Sequence, residues 1–196
     1  MKVKSLFIIV LLIFISCNVF YNKDINYRQL ESDKQISISS DFRGNYVDSV
    51  KLNIPLKFEI SNLNDKSFLI INYNYNEKRL IEVSEYIIFE NDYKKLFPLP
   101  LKPNKNNINE IKFYVNNTNI ILSNQKAREI TKKYNIEFDK WGERFRDTIQ
   151  VATYQQFKKD FPEIFDELNA FGDSLIITTA EKGQKGFKQQ KFPIKW

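Results

Sequence analysis

The chain has 196 residues, 42% of them apolar and 28% charged, with one cysteine, no histidine and a formal net charge of +6. The missing imidazole excludes Ser-His-Asp and Cys-His nucleophile systems and every zinc site built on histidine. A single thiol excludes a disulfide within the chain, and the sequence contains neither GxxxxGK[ST] nor GxGxxG for phosphate binding.

The first sixteen residues have the organisation of a secretory signal. Lys2 and Lys4 form a positive lead, and residues 6–15 are a run of ten without a polar side chain. A helix spanning the hydrocarbon core needs about 20 apolar residues. Ten match the apolar region of a signal peptide. The run ends in Phe14-Ile15-Ser16-Cys17. This segment resembles the lipobox of bacterial lipoproteins: Ser16 is the small residue before the cysteine, Ile15 the aliphatic residue before that, and Phe14 replaces the usual leucine. The resemblance implies cleavage between Ser16 and Cys17, and a covalent lipid on Cys17 as the only attached group. Two or more acyl chains hold a protein stably on a bilayer, whereas one does so only marginally.

Ser16 before the cysteine and Asn18 after it are similar to lipoproteins of the Bacteroidota type. Asn18 replaces the aspartate that retains enterobacterial lipoproteins at the inner membrane, which favours the outer membrane. Lys23-Asp24 faintly resembles the charged export tag of surface lipoproteins in that phylum. Asp48-Ser49-Val50, Asp147-Thr148-Ile149 and Asp173-Ser174-Leu175 look like its O-glycosylation pattern.

Removing residues 1–16 leaves 180, enough for one domain that buries about 70% of its unfolded surface. Losing Lys2 and Lys4 lowers the charge from +6 to +4. Lysine and glutamate are interspersed, a solvated surface rather than a nucleic-acid footprint, and export argues against a nucleic-acid partner.

Residues 17–33 are polar and aperiodic, and are read as a lipidated tether. Residues 34–196 are read as one domain. Strands are expected over 35–39, over Val50-Leu52-Ile54 and over Leu56-Phe58-Ile60, each alternating with period two. Pro55 cannot donate to a ladder and belongs at an edge or bulge. Residues 61–66 read as a turn, 68–75 and 83–90 as strands, and 98–107 as a proline- and asparagine-rich loop. Ile111-Phe113-Val115 alternates, and 119–122 closes the group.

The period then becomes helical. Ser123 or Asn124 caps a helix through Ala127, Ile130 and Tyr134. Trp141, Phe145 and Ile149, spaced by four, predict a helix over 139–150, weakened by Gly142. Thr153-Tyr-Gln-Gln156 reads as a capping box. Asp160 before Pro162 signals another start. Its apolar stripe is Phe161, Ile164, Phe165, Leu168 and Phe171, and Gly172 ends it. Residues 175–180 and 187–194 flank a glycine-bearing hairpin loop. The expected fold is α+β: a mainly antiparallel β-sandwich with a helical insertion at 123–172 before the final hairpin. A two-domain division stays open, although the last hairpin needs a sheet partner in the first half. Residues 56–69 resemble the strand-Asn-turn-strand of Ig-like envelope domains, which implies an Ig-like sandwich.

Candidate chemistry is sparse. Ser123-Asn-Gln-Lys126 matches the Ser-x-x-Lys of penicillin-binding enzymes, without their Ser-Asp-Asn and Lys-Thr-Gly partners. A helix cap is the plainer reading. Glu163, Asp166 and Glu167 share a helix face, readable as a carboxylate site or as a solvated surface. No metal ligand set and no catalytic residue is assigned. Tyr73, Tyr75, Lys188, Lys191 and Trp196 are the candidate binding surface, because tyrosine, tryptophan and interleaved cations suit interfaces. The competing reading puts the tail's aromatics in the core. The expected function is that of a membrane-anchored envelope lipoprotein acting as a non-catalytic binding module for another envelope protein or an incoming one, immunity-like in one concrete form. An envelope hydrolase using carboxylates or Ser/Lys, and a structural or assembly lipoprotein, stay open beside it.

Overall fold

The computed structural model describes residues 24–40, 49–75, 78–79, 86–90, 100–117, 119–137 and 148–196. Strands dominate, and their pairings are antiparallel. The first sheet has the order β1 (Asn26–Leu30), β4 (Pro55–Ser61), β8 (Glu110–Asn117), β7 (Tyr86–Phe89). The second runs β10 (Thr148–Thr153), β2 (Gln35–Ser40), β3 (Ser49–Asn53), β9 (Ile121–Ser123). The third runs β12 (Lys188–Pro193), β11 (Ser174–Glu181), β5 (Lys66–Tyr75), β6 (Lys78–Arg79). Helices are α1 (Pro103–Asn106), α2 (Asn124–Lys133), α3 (Tyr154–Asp160) and α4 (Pro162–Ala170). This is the expected α+β, sandwich-like architecture, with α2, α3 and α4 lying in sequence before the final hairpin.

The first two sheets are halves of one bent ribbon. β1 leads into β2, β3 into β4, and β8 into β9, so the β1–β4–β8 pairing continues as β2–β3–β9 beyond the bend. Toward the bend the Leu52 N–H donates to the Ile120 carbonyl at 2.8 Å, extending the β3–β9 ladder by one rung. Pro55 stands at this corner, as the first residue of β4. It faces Asn116 of β8, while β1 pairs only with 57–61 on the other side. A proline is tolerated there because no ladder requires its missing N–H.

Alternation builds the core. Leu56, Phe58 and Ile60 of β4 and Ile111, Phe113 and Val115 of β8 turn one buried face toward Leu69, Ile71 and Tyr73 of β5 and Leu175 and Ile177 of β11. Rings join the two layers: Tyr27 stacks on Phe192 with centroids 4.5 Å apart, and Tyr73 meets Tyr86 at 5.8 Å. Each fully buried side chain of this kind contributes roughly 1.5–3 kcal/mol of transfer free energy. The helices cover the second sheet: α2 packs on β3 and β9, α3 on β2 and β10. They close the core with Ala127, Ile130, Phe157, Phe161, Ile164, Phe165 and Leu168. The final hairpin takes β5 as its partner, with Leu175 opposite Tyr73.

Two segments differ from expectation. Asn26–Leu30, placed in the tether, forms strand β1 on β4, so the folded region begins before Lys34. Its polar sequence hides the strand, because its stabilising contacts are tertiary: Tyr27 lies between Phe58 and Phe192, and Arg28 pairs with Glu59. Residues 148–150, expected in a helix, belong to β10, which pairs with β2. Four of the six residues of β10, Thr148, Ile149, Val151 and Thr153, are β-branched, and β2 would otherwise present a bare edge. The rest of the expected helix, 139–147, lies outside the described residues, as do residues 1–23 with the signal, Ser16 and Cys17.

The caps follow the sequence with one exception. Ser123 Oγ accepts from the Lys126 N–H at 3.2 Å, and Thr153 Oγ1 from the Gln156 N–H at 3.3 Å. Asp160 does not cap α4. Phe161 occupies that position, and the Asp160 carboxylate instead accepts from the Tyr134 hydroxyl at 2.9 Å and the Gln156 amide at 2.7 Å. Gly172, at φ +68°, turns the chain out of α4 in the left-handed conformation that glycine adopts without steric cost.

Candidate functional site

The expected binding surface is divided by the fold. Tyr73 and Trp196 are core residues, 0% and 2% exposed. The Tyr73 hydroxyl donates to Asp173 Oδ2 at 2.6 Å, and the Trp196 indole N–H donates to the same oxygen at 3.1 Å. A buried carboxylate draws both polar tips inward and leaves neither ring for a partner. Burial and the adjacent Asp173 push the Tyr73 phenol well above its usual range. Tyr75 is half-buried against Phe171, with centroids 5.2 Å apart. Lys188 is half-buried and ion-paired with Asp24. Lys191 is exposed, on the opposite face of β12 from Phe192. Asp173-Ser174-Leu175 is equally inaccessible: Asp173 is 2% and Ser174 1% exposed, so a pattern resembling a glycosylation site is the start of a buried strand.

Ser123 and Lys126 are structural. The Lys126 ammonium lies 2.9 Å from Glu163 Oε1 and 5.3 Å from the Phe161 ring centroid. The hydrogen bond to Glu163 holds its pKa above the ordinary lysine value, the wrong direction for a base that must deprotonate a serine. Glu163 is engaged by this contact, and Asp166 and Glu167 are exposed on α4. Other carboxylates are likewise tied to the framework. Glu59 accepts from Arg28 Nε at 3.0 Å and lies 3.3 Å from Lys112 Nζ. Asp33 accepts from the Tyr114 hydroxyl and from Lys57 at 3.2 Å. Among the described residues no group of three or more acidic or cysteine side chains is placed to hold a metal ion.

An open cleft of about 550 Å³ lies at the bend of the ribbon. Leu30 and Leu56 contribute apolar wall. Tyr154, Gln155, Lys158 and Lys159 enter from α3, Gln29, Glu31 and Ser32 from the β1–β2 corner, and Lys195 from beyond β12. One local cap and two long-range contacts position these groups. The Thr153 cap starts α3, so that Phe157 is buried while Lys158 and Lys159 face water. Lys158 donates to the Trp196 main-chain oxygen, and its ammonium lies 5.3 Å from the Phe165 ring centroid and 5.8 Å from that of Tyr154. The Gln29 side chain clasps the Lys195 backbone, accepting from its N–H at 2.9 Å and donating to its carbonyl.

Lys159 and Lys195 have their side chains exposed on this rim, against one acid, Glu31, which accepts from Gln155. Burial pushes the Tyr154 phenol up to about 12, so it stays a neutral wall and hydrogen-bond donor. The cleft therefore offers an apolar floor, amide donors and surplus positive charge, a set that suits binding of an anionic group attached to an apolar one. Sequence reasoning missed it because its residues come from four segments that meet only in the fold. The one local sign was the adjacent pair Lys158-Lys159 on the polar face of a capped helix.

No protein-family model, curated protein or solved structure matches the chain.

Proposed function

We propose that the chain is a cell-envelope lipoprotein, held by acyl chains on Cys17, whose folded part is a non-catalytic module that binds an acidic protein partner through the cleft at the bend. The lipobox residues Ile15, Ser16 and Cys17 support the anchor, and Asn18 favours the outer membrane. The observation that carries the binding reading is the cleft itself: Leu30 and Leu56 below, Lys158, Lys159 and Lys195 above. An acidic segment carrying one apolar side chain fills it, and cations on the rim raise the encounter rate with such a partner. The carboxylates Asp33, Glu59, Asp160, Glu163 and Asp173 are each committed to framework contacts, which accords with recognition rather than hydrolysis. An incoming toxin neutralised in the envelope is one form of such a partner, and nucleic acid is not among the partners proposed.

The test is affinity capture from the envelope, with residues 18–196 as bait so that β1 is retained, set beside the Lys159→Glu/Lys195→Glu double variant. One protein held in moderate salt by the parent and released by the variant supports the reading. Equal capture by both moves the site elsewhere. Repeated capture of nothing counts against a binding module.

A further inference from the structure

We infer that the β11–β12 hairpin loop is a second membrane contact, which docks the domain on an anionic bilayer surface with the cleft pointing away from it. The orientation rests on the lipid anchor proposed above. The loop follows Glu181 and ends at Lys188, with Gly183 and Gly186 both at positive φ, +77° and +111°. These two left-handed turns throw Phe187 outward, 71% exposed, the most exposed large apolar side chain among the described residues. Its ring is steadied edge-on by Phe68, with centroids 5.4 Å apart, and the loop is pinned by the Lys182 N–H donating to the Asp65 carbonyl at 2.9 Å. An aromatic ring held in water by a braced loop gains free energy at a membrane interface, where its apolar body leaves water.

The charges agree. Lys182 and Lys185 flank Phe187 and are exposed. The acids at this end are Glu181, Asp24 and Asp65, of which the first two are neutralised by Lys66 at 2.8 Å and by Lys188. Lys182 and Lys185, beside the apolar tip, then outnumber Asp65 by one, an arrangement complementary to lipid phosphate.

The chain path supplies the third argument. Asp24 is fastened to this same end by Lys188 and by the Asn62 amide, which donates to its carbonyl at 2.9 Å. Cys17 is seven residues earlier, a span of at most about 25 Å. The acyl chains would therefore be tied to the end of the domain that carries Phe187. The cleft is at the other end. β1 and β12 run together from Asp24 and Lys188, through the Tyr27–Phe192 stack, to Gln29 and Lys195. From Lys188 to Pro193 the strand alone rises roughly 17 Å, which holds the cleft clear of the headgroups.

The test uses the full chain carrying Phe187→Trp, lipidated and reconstituted into vesicles of phosphatidylcholine and phosphatidylglycerol, with brominated acyl chains as quencher. Mass spectrometry of the product reports lipidation separately. The expected result is a blue-shifted, quenched emission above that of the parent chain, and loss of most of this difference on adding Lys182→Glu and Lys185→Glu. A second measurement is sedimentation of the unlipidated Cys17→Ser chain with the same vesicles. Binding there should weaken roughly fivefold for each of the two lysines neutralised, and more than that on Phe187→Ser. A lipidated chain whose introduced indole is neither shifted nor quenched overturns the inference and leaves the anchor standing. A chain without lipid that still sediments through Phe187 keeps the loop contact and overturns the anchor.

Discussion

The Tyr73 hydroxyl and the Asp173 carboxylate, 100 residues apart in sequence, meet at 2.6 Å in the interior. Trp196 joins the same oxygen, and the Ile194 N–H donates to the Asp173 carbonyl at 2.9 Å. One acidic residue immediately before β11 therefore ties the segment after β12 to Tyr73 of β5 within the third sheet. Asp173→Ala strands a phenol and an indole N–H in the core. The expected loss is about 2–5 kcal/mol, while Tyr73→Phe, which removes one partner of a shared acceptor, should cost about 1–2 kcal/mol. Urea unfolding of the two variants and the parent checks the order. Equal, small losses would mean that water replaces the lost contacts.

Lys66 is a second buried polar anchor, 2% exposed and 2.8 Å from Glu181. Removing the acid leaves an ammonium without its counter-charge. Glu181→Ala should cost about 3 kcal/mol, whereas Lys66→Met, which removes the buried charge and keeps the volume, should be close to neutral. Melting temperatures of the pair of variants would show the asymmetry.

Stability should fall on acidification. Folding lowers the carboxyl pKa of Glu59 through its hydrogen bond from Arg28, of Asp33 through Tyr114, of Asp160 through Gln156 and of Glu163 through Lys126. A carboxyl whose folded value lies below its unfolded one contributes stability that is fully present above the unfolded value, about 4, and is lost as pH falls through the folded value. Urea midpoints measured from neutral pH downward should be level at first and drop below about pH 4. Glu59→Gln should make the drop shallower; an unchanged slope would place the pH dependence on other groups.

The cleft makes a separate prediction. Lys159 and Lys195 are exposed, so Lys159→Glu/Lys195→Glu should change stability by no more than about 0.5 kcal/mol. Leu56 is 3% exposed in the floor, and Leu56→Ala should cost about 2–4 kcal/mol. Thermal melts separate the two variants, and the first is then the clean one for partner capture.

Gly172 tests a backbone effect alone. A Cβ built there meets nothing within 4 Å, yet φ is +68°. Gly172→Ala should destabilise by about 1 kcal/mol through conformation rather than clash, and Gly172→Asn by less, because asparagine tolerates this region better. Chemical denaturation of both would settle the ranking.

The strands were readable wherever one face is buried. Ile36 and Ile38, Leu56, Phe58 and Ile60, and Ile111, Phe113 and Val115 alternate because a half-buried sheet accepts apolar side chains only at every second position. Ser123, Thr153 and Gly172 were readable because caps and left-handed turns are local chemistry, settled within four residues of chain. The absence of histidine and the single Cys17 likewise bound the available chemistry without any coordinates. Strand β1 was not legible. Its residues Asn26, Tyr27 and Arg28 have no apolar alternation, and it is held by Glu59, Phe58 and Phe192 from other strands. β10 was misread because Trp141, Phe145 and Ile149 happen to fall four apart, while the reason for a strand, the open edge of β2, lies more than a hundred residues away. The same distance hid the site. Only the tertiary structure turns Tyr73 and Trp196 inward, because a buried Asp173 competes for their polar tips more effectively than water. Only the bend at Pro55 sets Leu56 beneath Lys159 and Lys195, since a concavity is formed by chain segments meeting in space, and no periodicity along one segment encodes that meeting.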